Sequence, residues 1–399
     1  MKKVLIASFD MEVGGVERSL VSMLNNFDYN NNEVDLMLYS HTGDFMELLP
    51  KYHNLLLENK KYSTFRQSIA QTIKQGNLCI GMARAFSILE SKIKSKVQGL
   101  NESVYAQMQY MWKNSLPFLP KYKKEYDVAI SYLWPHYFVA DKVKAKIKIA
   151  WIHTDYSKLE TDIEVDMKMW DKFDHIIAVS EECKNAFLQK YGRLKNKVRV
   201  IENITSPGFI EQMSKEKVEN LMTKDDCFKL VSVARLSYAK GIDNAVRALK
   251  ILVDRGYDNI KWYIVGYGGD EQIIKDLIKE NNLEDKFILL GKQINPYPYI
   301  KSADLYIQPS RYEGKAVTVC EAQILSKPVL ITNYTTAQSQ IKNGFDGCIT
   351  ELSIEGIADG IEKLYKDEEL RVRLSTNCKN TNYGNKKELE KLYNLFNWD

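Results

Sequence analysis

The fold is decided most clearly by residues 305–331, which have the sequence LYIQPSRYEGKAVTVCEAQILSKPVLI. The apolar runs at both ends indicate buried strands, and the part between them indicates a tight loop followed by a helix. Glu313 then lies on a loop at the carboxyl end of a strand, and Glu321 lies about two turns into the helix. The helix is predicted to start at Gly314, and the backbone N–H groups of residues 314–317 at this start suit a phosphate, whereas carboxylates suit a polyol. The stretch therefore predicts a site for an anionic ligand that carries hydroxyl groups.

Strands and helices alternate along the chain in two series. The first series starts at residues 3–8 and its last strand is residues 198–201, whereas the second starts at residues 229–234. Such alternation is typical of parallel sheets that are covered by helices on both faces. We therefore predict an α/β protein with two doubly wound domains. The predicted boundaries are 1–202 for the first domain, 203–228 for a polar linker and 229–385 for the second domain.

Length and composition restrict the class of protein. A chain of 399 residues is too long for one ordinary core, and 45% hydrophobic with 27% charged residues is typical of a globular protein in water. No apolar run is long enough to span a bilayer, and residues 4–7 are too short an apolar run for a signal peptide. The six cysteines are scattered and the five histidines show no metal-ligand spacing. These features predict a cytoplasmic protein with reduced thiols and no bound metal.

Positive charge is concentrated between Lys60 and Lys124. This segment has twelve lysines and arginines against Glu90 and Glu102, a net +10, while the whole chain has a net charge of only +4. Aromatic residues are interspersed, among them Phe86. Such a mixture suits the surface of an anionic membrane, but it also suits helices that cover their own domain and expose their charges to water. Nucleic acid is not expected as a partner, because no nucleic-acid-binding motif is present.

The pair of glutamates resembles the E-x7-E motif of retaining glycosyltransferases of the GT-B fold, in particular glycosyltransferase family 4. The resemblance rests on Glu313-Gly314, on Glu321-Ala322 and on the strand that follows Lys327. It implies that Glu313 contacts the sugar of a nucleotide-sugar donor and that Glu321 binds the ribose. It also implies that the amides of Gly314, Lys315, Ala316 and Val317 hold the diphosphate. Many relatives have aromatic and glycine residues after Glu-Gly, where this chain has Lys315-Ala316-Val317. Lys315 would add a positive charge beside the diphosphate.

Two cations follow the first strand of the second domain. Arg235 and Lys240 are five positions apart and precede Gly241, so both can meet phosphate oxygens from one side. Solvated surface cations are the ordinary alternative. The segment is similar to the family's strand-end grip on the donor diphosphate, which implies that both residues stabilise the departing nucleotide. By the same resemblance, Gly266 belongs to a glycine loop on the donor side and Lys292 lies where relatives contact the base.

The first domain carries fewer candidate residues. Gly14 and Gly15 follow the first strand and are similar to the family's glycine loop, which lies against the donor phosphates or the acceptor. His153 ends a buried strand, where relatives place a histidine near the reacting carbon. A lone histidine is more often a packed structural residue, and we expect that of His175. His136 is a weaker candidate, for the acceptor side.

The resemblance implies two Rossmann-like domains that face each other across a cleft, with a carboxyl-terminal helix, 386–399, completing the first. It further implies a hexosyltransferase (EC 2.4) that moves a sugar from a nucleotide-diphosphate sugar, with UDP favoured, to an acceptor hydroxyl with retention. A glycan or lipid-linked acceptor in surface polysaccharide or glycolipid biosynthesis would place the enzyme at the inner face of the cell membrane. No cofactor or metal is expected, because no Asp-x-Asp motif is present. A nucleotide-sugar epimerase of the same fold and a non-catalytic binding protein remain alternatives.

Overall fold

The computed structural model describes residues 1–98 and 104–397, which form two compact units. One unit comprises Met1–Ile204 and Lys386–Asp399, and the other comprises Thr205–Asn385. Both units are built on a parallel sheet, so the α/β class predicted from the sequence is confirmed.

The first unit has a seven-stranded sheet in the order β3-β2-β1-β4-β5-β6-β7 within the described residues. The central strand β1 carries Val4, Leu5 and Ile6, which are fully buried because helices cover both faces of a parallel sheet. The strands are β1 Lys2–Ser8, β2 Asn32–Leu38, β3 Asn54–Leu55, β4 Glu125–Ser131, β5 Lys144–Ile152, β6 His175–Ala178 and β7 Val198–Val200. The helices are α1 Gly15–Asn26, α2 Lys60–Ser63, α3 Ile69–Lys74, α4 Leu78–Gln98, α5 Val104–Ser115, α6 Tyr137–Lys142, α7 Ile163–Trp170 and α8 Glu181–Lys190.

The second unit has a six-stranded sheet in the order β10-β9-β8-β11-β12-β13. Its core includes Trp262 and Leu249, both fully buried. The strands are β8 Phe228–Val233, β9 Ile260–Val265, β10 Phe287–Gly291, β11 Leu305–Gln308, β12 Val329–Thr332 and β13 Cys348–Thr350. The helices are α9 Pro207–Met213, α10 Ile242–Asp254, α11 Glu271–Glu280, α12 Tyr297–Ser302, α13 Val317–Ile324, α14 Ala337–Gln340, α15 Ile354–Lys366 and α16 Glu368–Asn380.

The strand order in each sheet reverses direction at one point. In the first unit this happens between β1 and β4, and in the second between β8 and β11. The connections leave such a pair of strands toward opposite sides of the sheet, which opens a crevice at the carboxyl ends where ligands bind in doubly wound folds. The loops after β8 and β11 carry Arg235, Lys240 and Glu313. The topology therefore brings these predicted site residues to one crevice of the second unit.

The segment predicted as a linker, 203–228, differs from that expectation. It contains helix α9, and all of it from Thr205 onward lies within the second unit. Ile210 and Met213 are buried because they lie on one face of α9, and the Met213 carbonyl accepts a hydrogen bond of 2.8 Å from Asn295 Nδ2. A short helix with only a few apolar residues gives too weak a periodicity to stand out in a polar stretch.

The carboxyl-terminal helix α17, Glu388–Asn394, packs on the first unit. Lys2 Nζ donates hydrogen bonds of 2.7 Å to the Phe396 carbonyl and 2.6 Å to Asn397 Oδ1. The rings of Phe27 and Tyr393 meet edge to face at 5.4 Å. None of the helices in the described part of the chain has the length and hydropathy needed to cross a bilayer.

Candidate functional site

The loop after β8 presents the two predicted cations differently. Arg235 is exposed, whereas Lys240 ends a short 3-10 helix, Tyr238–Lys240, and is partly buried. Gly241 follows with φ 64°, and a Cβ there would lie 2.1 Å from the Pro309 carbonyl oxygen. Only glycine fits this contact between the β8 and β11 loops, which holds Lys240 close to the end of β11.

Lys240 forms an ion pair with Glu313. Its Nζ lies 2.7 Å from Oε1 and 2.6 Å from Oε2 of the carboxylate, whose side chain is only 7% exposed. Glu313 Oε1 also accepts hydrogen bonds from Ser310 Oγ at 2.6 Å and from Gln308 Nε2 at 3.0 Å. The structure thus brings the predicted phosphate cation and the predicted sugar carboxylate into direct contact.

Gln308 is a site residue that the sequence analysis missed. It ends β11 and is buried, and its Oε1 accepts hydrogen bonds from Tyr306 at 2.7 Å and from Thr318 at 3.2 Å. Its amide therefore orients Glu313 while being held by two hydroxyl groups. A polar residue at the end of an otherwise apolar strand was the available indication, since a buried amide must find hydrogen-bond partners.

Arg311 stabilises the loop after β11 through contacts with α10 and Tyr238. Its guanidinium donates two hydrogen bonds of 2.7 Å to the carboxylate of Asp243, and it lies 4.2 Å from the centroid of the Tyr238 ring. Burial alone would raise the pKa of Asp243, but the hydrogen bonds from Arg311 hold it below its usual value. Asp243 in turn raises the pKa of Arg311. This bidentate pair joins the start of α10 to the β11 loop, so it positions Lys240 and Glu313 without needing to contact a ligand.

The predicted helix start at Gly314 is wrong, because α13 begins at Val317. Gly314 and Lys315 belong to the loop, and Ala316 is the N-cap residue. The Ala316 N–H already donates to Gln340 Oε1 at 3.1 Å. The N–H groups of a first helical turn have no partners within the helix, so four of them in succession could bind an anion. Here two of the four predicted residues lie in the loop and the Ala316 N–H is occupied, so fewer amides remain for an anion.

Glu321 lies inside α13 and is buried, with Oε1 accepting a hydrogen bond of 3.0 Å from the Tyr297 hydroxyl. Tyr297 begins helix α12, so this contact links two helices of the second unit. The carboxylate is therefore fixed in position by a residue that the sequence analysis did not single out.

The glycine loop after β9 abuts the loop after β8. Gly266 has φ 152°, and a Cβ there would lie 1.9 Å from the Ala234 carbonyl oxygen. The Gly266 N–H donates a hydrogen bond of 2.9 Å to the Gly291 carbonyl. Lys292 follows, with Nζ 5.3 Å from the centroid of the Tyr267 ring. The loops that carry Arg235, Gly266 and Lys292 are thus neighbours at one edge of the sheet.

In the first unit, Gly14 is the N-cap residue of α1 and Gly15 opens the helix. Gly14 has extended backbone, and a Cβ at Gly15 would meet no atom within 4 Å. The fold itself therefore does not require glycine at position 15, whereas a Cβ at Gly14 would lie 2.2 Å from Glu17 Oε2.

His153 directly follows β5, and its ring lies 4.6 Å from that of Tyr132. Burial lowers the pKa of His153 to about 3, against a smaller opposing effect of a hydrogen bond with the Tyr132 backbone. The imidazole is therefore neutral at physiological pH, and its buried Nε2 lacks a hydrogen-bond partner among the described residues.

A buried ring nitrogen without a partner is not peculiar to His153, since His136 and His175 also have one among the described residues. His136 is fully buried, with Nδ1 2.8 Å from Ser131 Oγ and its ring 4.8 Å from that of Trp170. Burial also lowers its pKa to about 3. His136 is thus a core residue, and the prediction that it lines an acceptor site is wrong. His175 begins β6. Within the described residues, no three His, Cys, Asp or Glu side chains are grouped so that they could hold a metal ion.

Comparison with known proteins finds relatives for part of the chain. Residues 209–381 match the family model of the glycosyl transferases group 1. An uncharacterized glycosyltransferase of Methanocaldococcus jannaschii is 31% identical over 189 residues, which are 47% of this chain and 46% of that protein. The capsular polysaccharide biosynthesis glycosyltransferase CapM of Staphylococcus aureus is 30% identical over 237 residues, 55% of this chain and 61% of that protein. The chain thus spans about half the length of the curated relatives it matches.

Solved structures share the fold over the whole chain. The Anabaena protein HepE, crystallised with UDP-glucose, has a TM-score of 0.67 at 17% identity and covers 99% of this chain and 100% of its own. S. aureus TarM has a TM-score of 0.69 at 15% identity and covers 100% of both chains. The protein has the GT-B fold, as predicted, and the part of it that is similar to the glycosyl transferases group 1, residues 209–381, lies within the second unit.

Proposed function

We propose that this protein is a retaining glycosyltransferase of the family 4 type that moves a hexose from a UDP-sugar to an acceptor hydroxyl. The observation that carries the proposal is the Lys240–Glu313 ion pair at the carboxyl ends of β8 and β11. It combines a cation for phosphate with a carboxylate for sugar hydroxyls at the switch point of a doubly wound sheet.

The residues of the second unit have distinct roles in this proposal. Arg235 and Lys240 bind the diphosphate and stabilise the negative charge that grows on it as the sugar leaves. Glu313 accepts hydrogen bonds from the sugar once Lys240 turns toward the phosphate, and Gln308 and Ser310 keep the carboxylate in place during that exchange. Amides at the Val317 end of α13 add donors for the phosphate. The leaving phosphate helps to accept the proton of the acceptor hydroxyl, so no side-chain base is required.

The remaining candidates complete the donor and acceptor contacts. Glu321 binds the ribose hydroxyls, and Lys292 lies toward the base. In the first unit, the neutral His153 offers its unpartnered Nε2 to the donor sugar, and Gly14-Gly15 allow a ligand to approach the backbone. No cofactor or metal has a role, since cationic side chains and amides carry the charge stabilisation.

The names of relatives support a UDP-sugar and a glycan or lipid-linked acceptor. One relative, 27% identical, is the Escherichia coli UDP-Gal:alpha-D-GlcNAc-diphosphoundecaprenol alpha-1,3-galactosyltransferase. Another, 25% identical, is the S. aureus poly(ribitol-phosphate) alpha-N-acetylglucosaminyltransferase. We therefore place the reaction in surface polysaccharide or glycolipid synthesis at the cytoplasmic face of the cell membrane.

The test is incubation of the protein with UDP-, GDP- and ADP-sugars, first alone and then with lipid-diphosphate-linked saccharides. We expect slow hydrolysis of one UDP-sugar without acceptor and transfer with acceptor, and NMR should show that the anomeric configuration is retained. Interconversion of the sugar without its release would instead indicate an epimerase. An epimerase would need an acid and a base in the site, whereas Glu313 and Asp243 are both paired with cations. Absence of binding to every nucleotide sugar would refute the proposal.

A further inference from the structure

Helix α4, Leu78–Gln98, carries most of its large apolar residues on the exposed side. Its five large exposed hydrophobic side chains are between 54% and 61% exposed, and they are Leu78, Met82, Phe86, Leu89 and Ile93. At about 100° per residue, these positions fall within a sector of about 80° on the helix surface. We call these five residues the α4 stripe. Scattered surface hydrophobics are ordinary, but a continuous row along one helix face indicates a binding surface.

The opposite face of α4 is buried and largely polar. Its buried residues include Ile80, Arg84, Ser87 and Ser91. The Arg84 guanidinium donates to the Thr64 carbonyl at 2.5 Å, to Thr72 Oγ1 at 2.8 Å and to the Gln67 carbonyl at 2.8 Å. These specific contacts fix which face of α4 points inward. The stripe is therefore exposed because of the packing of the first unit, and turning the helix over would leave Arg84 without its partners.

The charges around the α4 stripe are positive. Lys92, Lys94 and Lys96 are exposed, and no ion pair or side-chain hydrogen bond engages them within the described residues. The acidic residue of α4, Glu90, is instead paired with Lys113 at 3.3 Å. On the helix surface, Lys92 lies about 40° beyond one edge of the stripe and Lys94 about 80° beyond the other edge, while Lys96 lies within its sector at the carboxyl-terminal end.

Other cations of the basic segment have structural partners and do not contribute to this surface. Arg66 pairs with Asp10 at 2.5 Å, and Lys124 pairs with Glu33 and Asp35 at 2.8 Å. Arg84 is buried. The net charge of the segment therefore overstates the charge available to a partner, and the available part includes the lysines beside the α4 stripe.

We propose that the α4 stripe and its three lysines form a docking surface for an anionic lipid bilayer. A helix with an apolar face and lysines along its flanks lies in the interface plane, with the side chains of the stripe among the acyl chains and the ammonium groups at anionic headgroups. A protein partner could cover the stripe, but unpaired lysines on both of its sides match a continuous negative surface best. This inference is independent of the proposed sugar transfer, because binding to lipid needs no nucleotide sugar.

The test is co-sedimentation of the full chain with phosphatidylcholine vesicles that contain an increasing share of phosphatidylglycerol. We expect binding to increase with phosphatidylglycerol and to decrease with salt. The Phe86→Ser/Leu89→Ser variant should lower the partition coefficient at least about tenfold, because two large apolar side chains no longer enter the interface. The Lys92→Glu/Lys94→Glu variant should lower it by a similar factor and remove the salt dependence.

Matched controls lie elsewhere on the surface. Leu57 is 92% exposed and lies outside the stripe, so Leu57→Ser should leave binding unchanged. Lys217 and Lys379 are exposed in the second unit, and reversing both to glutamate should have a much smaller effect than reversing Lys92 and Lys94. If reversal of either lysine pair weakened vesicle binding equally, the attraction would depend only on the net charge of the protein, and the proposal would be overturned. Self-association in light scattering that disappears in Phe86→Ser/Leu89→Ser, without any binding to vesicles, would show that a second copy covers the stripe instead.

Discussion

At the residue scale, the site depends on a contact between two side chains 73 positions apart, Lys240 and Glu313. Each residue keeps the other's charge compensated in a partly buried position, which an isolated charge would not tolerate at low cost. The pair therefore serves two states. The structure shows the state closed on itself, and the proposed function requires a second state in which phosphate replaces the carboxylate as the partner of Lys240.

Removing either cation should impair transfer. We expect Arg235→Ala and Lys240→Ala each to lower the turnover number by roughly 10²-fold, the usual effect of losing one group that stabilises transition-state charge. Arg235→Ala is the cleaner variant, because the Arg235 side chain is exposed and its removal should not change the unfolding midpoint. Arg373, exposed on α16, provides the matched control. Steady-state kinetics that are normal in both variants would remove them from the donor site.

Substitutions of Glu321 and Glu313 should affect nucleotide binding differently. Glu321→Gln should weaken binding of UDP about 10-fold or more, since a neutral amide replaces a charged acceptor for the ribose hydroxyls. The amide oxygen can still accept from Tyr297, so the fold should be retained. Glu313→Gln should not weaken UDP binding, because it removes the charge that competes with the phosphate for Lys240, and it should impair transfer through loss of the proposed sugar contact. Isothermal titration with UDP measures both, and an equal loss of affinity in the two variants would contradict these roles.

At the element scale, the loops after β8, β9 and β11 touch through glycines. A Cβ at Gly241 would strike the Pro309 carbonyl, and one at Gly266 would strike the Ala234 carbonyl. At these contacts the backbones of neighbouring loops lie too close together to admit a methyl group. The arrangement of the cations and carboxylates thus depends on backbone packing as well as on the residues themselves.

Alanine at these glycines should test that packing. Gly266→Ala should lower the free energy of unfolding by at least about 3 kcal/mol, because backbone must move in addition to accommodating an unfavourable φ. Gly256→Ala is the matched control, since Gly256 also has positive φ, 88°, but no atom lies within 4 Å of its Cβ position. That variant should cost only about 1–2 kcal/mol. Urea unfolding measures both, and similar losses would show that the close contact has no energetic weight.

At the scale of the whole molecule, the chain leaves its first unit at Ile204 and returns to it at Lys386. Its return is fixed by buried Leu389, Leu392 and Phe396 and by the hydrogen bonds of Lys2. The second unit, in contrast, is one continuous segment. The stability of the first unit therefore depends on the last few residues of the chain.

Ending the chain at Asn385 should consequently destabilise only one unit. Loss of three buried apolar side chains should cost the first unit on the order of 5 kcal/mol, at about 1.5–3 kcal/mol for each. Hydrogen exchange should show lower protection in β1 and β2 and unchanged protection in β8 and β9. Glu390→Ala, at an exposed position of α17, should change neither. Equal loss of protection in both sheets would mean that the two units unfold as one.

Several features could be predicted from the sequence because they repeat along it. Buried parallel strands are continuous apolar runs, so both sheets could be located, and the spacing from Glu313 to Glu321 indicated a loop followed by a helix. The linker prediction missed α9, because a helix this short gives only a weak periodicity. The predicted start of α13 was three residues too early, because Gly314 and Lys315 belong to the loop and Ala316 is the N-cap residue. Periodicity weakens at element ends, where these errors lie.

The sequence by itself determined two α/β units, the loops at the ends of their strands and the residue types that those loops carry. Only the tertiary structure decided that Lys240 pairs with Glu313, that Arg311 clamps Asp243 and that Gln308 orients the carboxylate. It also decided that α4 buries Arg84 and exposes Phe86. The physical reason is that periodicity records only how each element divides between inside and outside. Contacts between distant residues depend on strand order, loop path and the hydrogen-bond partners that each buried polar group finds.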